Sequence, residues 1–107
     1  MNDSQHLSSQ FDEDLVRLRT AVLQMGGLVE TQVSAAIDAY SSGEVSSVKH
    51  IVETDRKVND LEIAIDDDCA HLIAKRQPAA SDLRLVFGIT KIVTDLERMG
   101  DLAVDIC

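Results

Sequence analysis

The sequence is short of the residues that break a chain or dress a surface with positive charge. Its 107 residues include one proline, five glycines, two cysteines and no tryptophan, and ten basic side chains stand against nineteen acidic ones. So little proline leaves long helices uninterrupted, and Leu, Ile, Val and Ala carry the apolar content, so the composition favours helix. Cys69 and Cys107 lie far apart and fit no C-x-x-C metal spacing. They are read as reduced thiols of a cytoplasmic protein. The deficit of bases gives a formal net charge of −9. That charge argues against nucleic acid or an anionic membrane surface as a partner, and for cations or basic protein surfaces. No run approaches the roughly 18 apolar residues of a membrane span. The polar N-terminus lacks the basic-then-apolar order of a secretion signal. A glycine-rich phosphate loop, a nucleophile elbow and a Ser/His/Asp arrangement are all missing, so nothing supports an active site.

What is present is helical periodicity. Residues 1–9 are polar and expected to be disordered. From there the apolar positions run Phe11, Leu15, Leu18, Val22, Met25, Val29, Ala36 and Tyr40. Steps of four and three make a heptad seam. Gln32 interrupts it, while Leu28, Val33 and Ile37 widen it to the stripe a bundle needs. Gly26-Gly27 fall mid-helix at about 2 kcal/mol together, which points either to a kink or to close approach of a neighbouring helix or chain. Ser41-Ser42-Gly43 forms the first stop. The second seam is Val48, Ile51, Asp55, Val58, Glu62, Ile65, Cys69 and Leu72. The break at Gln77-Pro78 follows, with Ser81 and Asp82 suited to a first helical turn. The third seam reads Leu85, Ile89, Ile92, Leu96, Met99, Ala103 and Ile106, flanked by Val86 and Val93. The expected fold is all-α: one antiparallel three-helix bundle over 10–107, with long helices at about 10–41, 44–76 and 79–107. The third seam is still in phase at Cys107, which reads as a helix cut short.

The acids break this pattern. Asp55 and Glu62 occupy core positions of the second seam, with Asn59 and Asp66 on the same line. Buried carboxylates are costly unless paired or bound to metal. In the third helix Glu97, Asp101 and Asp105 recur at i, i+4 and i+8, about 6 Å per step along one face. Gly100 beside them costs roughly 1 kcal/mol against Ala in a helix interior. Short connections make neighbouring helices antiparallel, and counting from the turns sets Asp55 level with Gly100 and Asn59 level with Leu96. Two acidic lines at one height make an oxygen-rich site suited to hard or borderline cations. The competing reading is a solvated acidic face balanced by Arg56, Lys57, Lys91 and Arg98. A di-iron carboxylate enzyme would need Glu-x-x-His on two helices. Only Asp68-Cys-Ala-His71 has that spacing, about two turns away, so His71 is read as a surface histidine and Asp67 as a solvated charge.

Three stretches, Met25-Gly-Gly-Leu-Val-Glu30, Lys75-Arg-Gln-Pro-Ala-Ala-Ser-Asp-Leu-Arg84 and Leu96-Glu-Arg-Met-Gly-Asp101, together resemble the PhoU family of phosphate-specific transport accessory proteins. The resemblance implies a tandem of two three-helix repeats, of which this chain looks like the first. It implies a cytoplasmic, non-enzymatic regulator of phosphate uptake. Such a protein relays phosphate sufficiency from a phosphate ABC transporter, through its ATPase subunit, to a sensor histidine kinase, and keeps starvation genes off. It implies self-association as a homodimer, with no nucleic acid partner and no membrane insertion. It also implies a metal, iron or zinc, at a Glu/Asp-x-x-x-Asp motif that Glu97-Arg-Met-Gly-Asp101 matches. Asp55 and Glu62 match acidic positions of the second helix, and Asn59 matches them less well. Asp105 rests on helix geometry alone. A helical interaction module without metal is the other reading.

Overall fold

Neither glycine nor proline interrupts residues 2–25, and the apolar stripe beyond Phe11 has helical spacing throughout. A computed structural model describes the backbone of residues 2–43 and 46–106 and the side chains of 9–43 and 48–105. These residues form helices α1 (Asn2–Ser42), α2 (Ser46–Arg76) and α3 (Ala80–Ile106). At 1.5 Å rise per residue α1 alone is about 60 Å long, and the molecule measures 62 × 17 × 16 Å. Among the described residues no helix is long and apolar enough to cross a membrane.

The helix borders follow local chemistry. Gly43 takes the left-handed conformation at φ +72°, and its N–H bonds the Ala39 carbonyl at 2.7 Å, closing α1 as a C-terminal glycine does. Gln77 does the same for α2, at φ +46°, with its N–H on the Ile73 carbonyl at 3.2 Å. A side chain in that region costs roughly 1–2 kcal/mol, so this turn is held under local strain. Leu83 N–H then bonds the Ala79 carbonyl at 2.9 Å, and Asp82 lies in the first turn of α3, where the helix dipole favours it. One border differs from expectation. Residues 2–9 belong to α1 rather than to a disordered tail, because each residue added to an existing helix gains a backbone hydrogen bond and nothing there breaks it. Cys107 and the side chain of Ile106 lie outside the described residues.

An ion pair records the antiparallel order of α1 and α2. Arg76, at the end of α2, donates from Nε to Asp14 Oδ2 at 2.9 Å and from Nη1 to Gln10 Oε1 at 2.6 Å. Arg17 also bonds Asp14. Arg76 and Asp14 are largely buried at 18% and 15% exposure. Hydrogen bonds to charged groups contribute about 1.5–3 kcal/mol, so this contact clamps that end of the bundle.

The core follows the first two seams closely. Phe11, Leu15, Leu18, Met25, Val29 and Ala36 are buried on α1, and Ile51, Val58, Ile65, Cys69 and Leu72 on α2. Tyr40, expected on the seam, is exposed; Ala39 takes the inner position at the helix end. The third seam holds at Ile89 and Ala103, with Leu96 packed against the core, and is shifted by one residue on its other heptad line. Val86, Ile89, Val93 and Ala103 are buried, while Leu85, Ile92 and Met99 stand about half exposed. Both lines are apolar at heptad spacing, so the pattern alone does not choose between them. The buried line holds the smaller residues, and it carries Gly100. Helix α1 runs through Gly26-Gly27 without interruption, and a Cβ on either would meet nothing within 4 Å. The glycine pair is therefore neither a break nor a close approach among the described residues.

Candidate functional site

The seam of each helix carries one residue out of character at the same height. These are Gln32 on α1, Asp55 on α2 and Gly100 on α3. They separate two apolar clusters. One contains Val29, Val58 and Val93; the other contains Ala36, Ile51 and Ala103. Gln32 is 1% exposed. Its Nε2 donates to the Ile51 carbonyl at 3.2 Å and to Asp55 Oδ1 at 3.3 Å. Two acceptors on one side fix the amide orientation, because only the NH₂ end can serve both. The carbonyl Oε1 then turns toward Gly100, where among the described residues it is buried without a donor. A buried acceptor left so costs about 1–3 kcal/mol. A Cβ at Gly100 would lie 2.8 Å from that oxygen and 3.6 Å from Asp55 Oδ1. The glycine is thus a vacancy that the glutamine fills, and Asp55 does lie level with Gly100.

Next to this layer the carboxylates of α2 and α3 meet. Burial pushes the Glu62 carboxyl above its ordinary range, and the charges of Glu97, Asp66 and Asp101 and a hydrogen bond with Glu97 push the same way. Glu97 is raised first by burial, then by the charge of Asp101 and a hydrogen bond with it; Asp55 adds to the effect. The Glu62 contact acts on Glu97 in the opposite sense. Among the described residues Glu62 Oε2 is buried with no partner. Like charges held this close favour a proton or a cation between them.

Of the six expected site residues, Glu97 and Asp101 act on Glu62, and Asp101, Glu62 and Asp55 on Glu97. Asp66 joins them from the same line of α2. Asn59, Asp66, Asp101 and Asp105 are all exposed, and Asp105 is not among the charges acting on Glu62 or Glu97. The donors are all oxygens, and among the described residues two buried oxygens, Glu62 Oε2 and Gln32 Oε1, lack partners. In type the set fits a hard or borderline cation. It is not preassembled: among the described residues no three His, Cys, Asp or Glu side chains are gathered to hold a metal ion, and the carboxylates contact one another in pairs. His71 sits apart, exposed, with Nδ1 at 2.9 Å from the Asp67 carbonyl and 3.7 Å from Asp67 Oδ2. It pairs with Asp67 and not with Asp68. Cys69 is a free, buried thiol, pushed up to about 11 by burial and the charges of Asp66 and Asp68, which leaves it inert as a nucleophile at neutral pH.

Gln32 is the residue that periodicity under-read. It registers in the sequence as a gap in a seam. A polar side chain at a core position, level with a glycine and a carboxylate on the other two helices, is the signal that identifies it. A second surface feature comes from the shifted third seam. An apolar groove between α1 and α3 is lined by Val22, Leu23, Leu85, Gly88 and Ile92, with Arg19 and Arg84 at its rim.

With this geometry in hand, comparison with known proteins is specific. The family model described as PhoU domain matches residues 22–107. The chain is 49% identical over 107 residues to the phosphate-specific transport system accessory protein PhoU of Escherichia coli K12, covering 100% of this chain and 44% of that protein. It is 46% identical over 98 residues to the PhoU homolog of Pseudomonas aeruginosa, covering 92% of this chain and 40% of the relative. The crystal structure of PhoU from Pseudomonas aeruginosa superposes with a TM-score of 0.87 at 44% identity, over 90% of this chain and 46% of that one. The chain thus spans less than half the length of these relatives.

Proposed function

The chain belongs to the PhoU family, and from that membership we propose that it acts as an accessory module of phosphate uptake. In this reading it is a cytoplasmic, non-enzymatic adaptor. It contacts the ATPase subunit of a phosphate ABC transporter and a sensor histidine kinase, and it holds phosphate-starvation signalling off when phosphate is plentiful. The observation that carries the reading is the 49% identity, over the whole chain, to a protein named as a phosphate-specific transport system accessory protein. The high net negative charge supports basic protein surfaces as the docking partners.

The carboxylates of α2 and α3 give the module a cation site. Asp55, Glu62, Glu97 and Asp101 would supply the oxygens, and a bound iron or zinc ion would neutralise their charges. Metal content of the protein purified without chelator tests this directly. Replacing Glu97 and Asp101 together by alanine should lower bound metal at least tenfold by elemental analysis while the helical circular dichroism is retained. Wild-type protein that carries no metal and takes up none would leave a helical interaction module without a metal site. The adaptor reading is tested separately by co-purification with the transporter ATPase subunit and the kinase. Failure of the chain to retain either partner would sink it.

A further inference from the structure

A cleft of about 200 Å³ lies between α1 and α2 at the Arg76 end of the bundle. The buried Leu18 and Leu72 form its apolar part, and Arg17, Lys75 and Arg76 face Asp14 and Asp68 around it. Bases outnumber acids here, in a chain where nineteen acids stand against ten bases. His71 borders the cleft with its Nδ1 engaged on the Asp67 carbonyl. Basic residues in the last turn of a helix ordinarily offset its dipole. Arg76 instead reaches across to α1, where it bonds Asp14 Oδ2 and Gln10 Oε1, and Arg17 bonds Asp14 Oδ1. One largely buried carboxylate thus holds two guanidinium groups side by side. Asp14 has both oxygens occupied, whereas among the described residues each guanidinium keeps N–H groups beyond these contacts.

We propose that this cleft binds inorganic phosphate, with Arg17, Lys75 and Arg76 donating to its oxygens and Asp68 accepting from its O–H. The fork of a guanidinium matches an oxyanion, and a pair fixed by a shared carboxylate loses little freedom on binding one. The cleft is smaller than the roughly 300–1,000 Å³ of sites for drug-sized ligands, which suits a small anion. Asp68 decides which anion. A carboxylate repels a bare oxyanion such as sulfate, which carries no proton at neutral pH. Phosphate keeps a proton there and can donate it to Asp68. The site is separate from the carboxylates of α2 and α3 and stands apart from both the adaptor and the cation readings.

Calorimetric titration of the full chain with sodium phosphate and with sodium sulfate, at neutral pH and constant ionic strength, tests the assignment. The wild type should bind phosphate saturably and sulfate about tenfold more weakly, the discrimination of one charge-assisted hydrogen bond. Arg17 and Lys75 are exposed, so Arg17→Gln and Lys75→Gln should keep the helical circular dichroism and each weaken phosphate binding about tenfold. Arg98→Gln, which removes a base outside the cleft, should change nothing. Asp68→Asn replaces the acceptor-only carboxylate by an amide that also donates, so sulfate should bind as well as phosphate in that variant. Absence of saturable phosphate binding to the wild type overturns the site, as does wild-type affinity in both Arg17→Gln and Lys75→Gln. Equal binding of sulfate and phosphate by the wild type overturns the assignment to phosphate.

Discussion

At the scale of single residues, the site turns on protons. Glu62 and Glu97 are both held above the ordinary carboxyl value of 4.5, so the folded protein binds protons there more tightly than the unfolded chain does. The sign follows from linkage. The stability these protons contribute is fully present below 4.5 and is lost as pH rises through the raised values of the two groups. Above them the folded state holds close carboxylates that the unfolded chain keeps apart. The melting temperature of the metal-free protein should therefore fall as pH is raised from about 4.5 to 7. Glu62→Gln with Glu97→Gln should flatten that slope. A melting temperature that climbs over this window, or a slope unchanged in the double variant, would show that the two groups are not coupled in the fold. Asp55, Glu62, Glu97 and Asp101 were legible in the sequence because carboxylates at core or i,i+4 positions violate local rules. Gln32 was not, since a polar residue within an apolar seam also suits a helix that frays toward solvent. Its partner across the core had to be seen.

At the scale of helices, periodicity read α1 and α2 well and one of the two heptad lines of α3: Ile89 and Ala103 are buried as expected, while the line through Leu85, Ile92 and Met99 is displaced by one residue. Val58, Ile65, Cys69 and Leu72 are buried as their spacing requires. On α3 the larger Leu85, Ile92 and Met99 define one heptad line, and Val86, Val93 and Gly100 the line next to it. Size favours the first as core, whereas the fold uses the second, which sets Gly100 opposite Gln32. The glycines of the chain accordingly divide into two kinds. A Cβ at Gly26 or Gly27 would meet nothing within 4 Å, so Ala at either should recover helix propensity and raise stability by about 0.5–1 kcal/mol. At Gly100 the same change puts a Cβ 2.8 Å from Gln32 Oε1. The propensity gain is then outweighed by the displaced hydrogen bonds of a buried amide, about 1–3 kcal/mol, and stability should fall. Urea denaturation of the three single variants checks the opposite signs. Destabilisation by Gly26→Ala or Gly27→Ala would mean that something outside this chain packs against the pair.

At the scale of the molecule, the one-residue shift of α3 has a cost on the surface. Leu85 and Ile92 are 48% and 49% exposed, and Leu23 across the groove is 77% exposed. Contiguous apolar side chains rimmed by charge, here Arg19 and Arg84, mark a contact surface. The family resemblance implies a homodimer, and a two-fold interface can pair this groove with itself. Two copies of net charge −9 repel each other at long range, and salt screens that repulsion over about 8–10 Å at physiological strength. Association through an apolar face should therefore strengthen with added salt, whereas association through ion pairs would weaken. Leu23→Glu together with Ile92→Glu adds charge to both walls of the groove. Exposed substitutions of this kind change stability by only about 0.5 kcal/mol, so the double variant should keep its helical spectrum. In sedimentation it should remain monomeric at every salt concentration, while the wild type shifts toward dimer as salt rises. A wild-type dimer that dissociates with salt, or a double variant that dimerises as well as the wild type, would assign self-association to another face of the bundle.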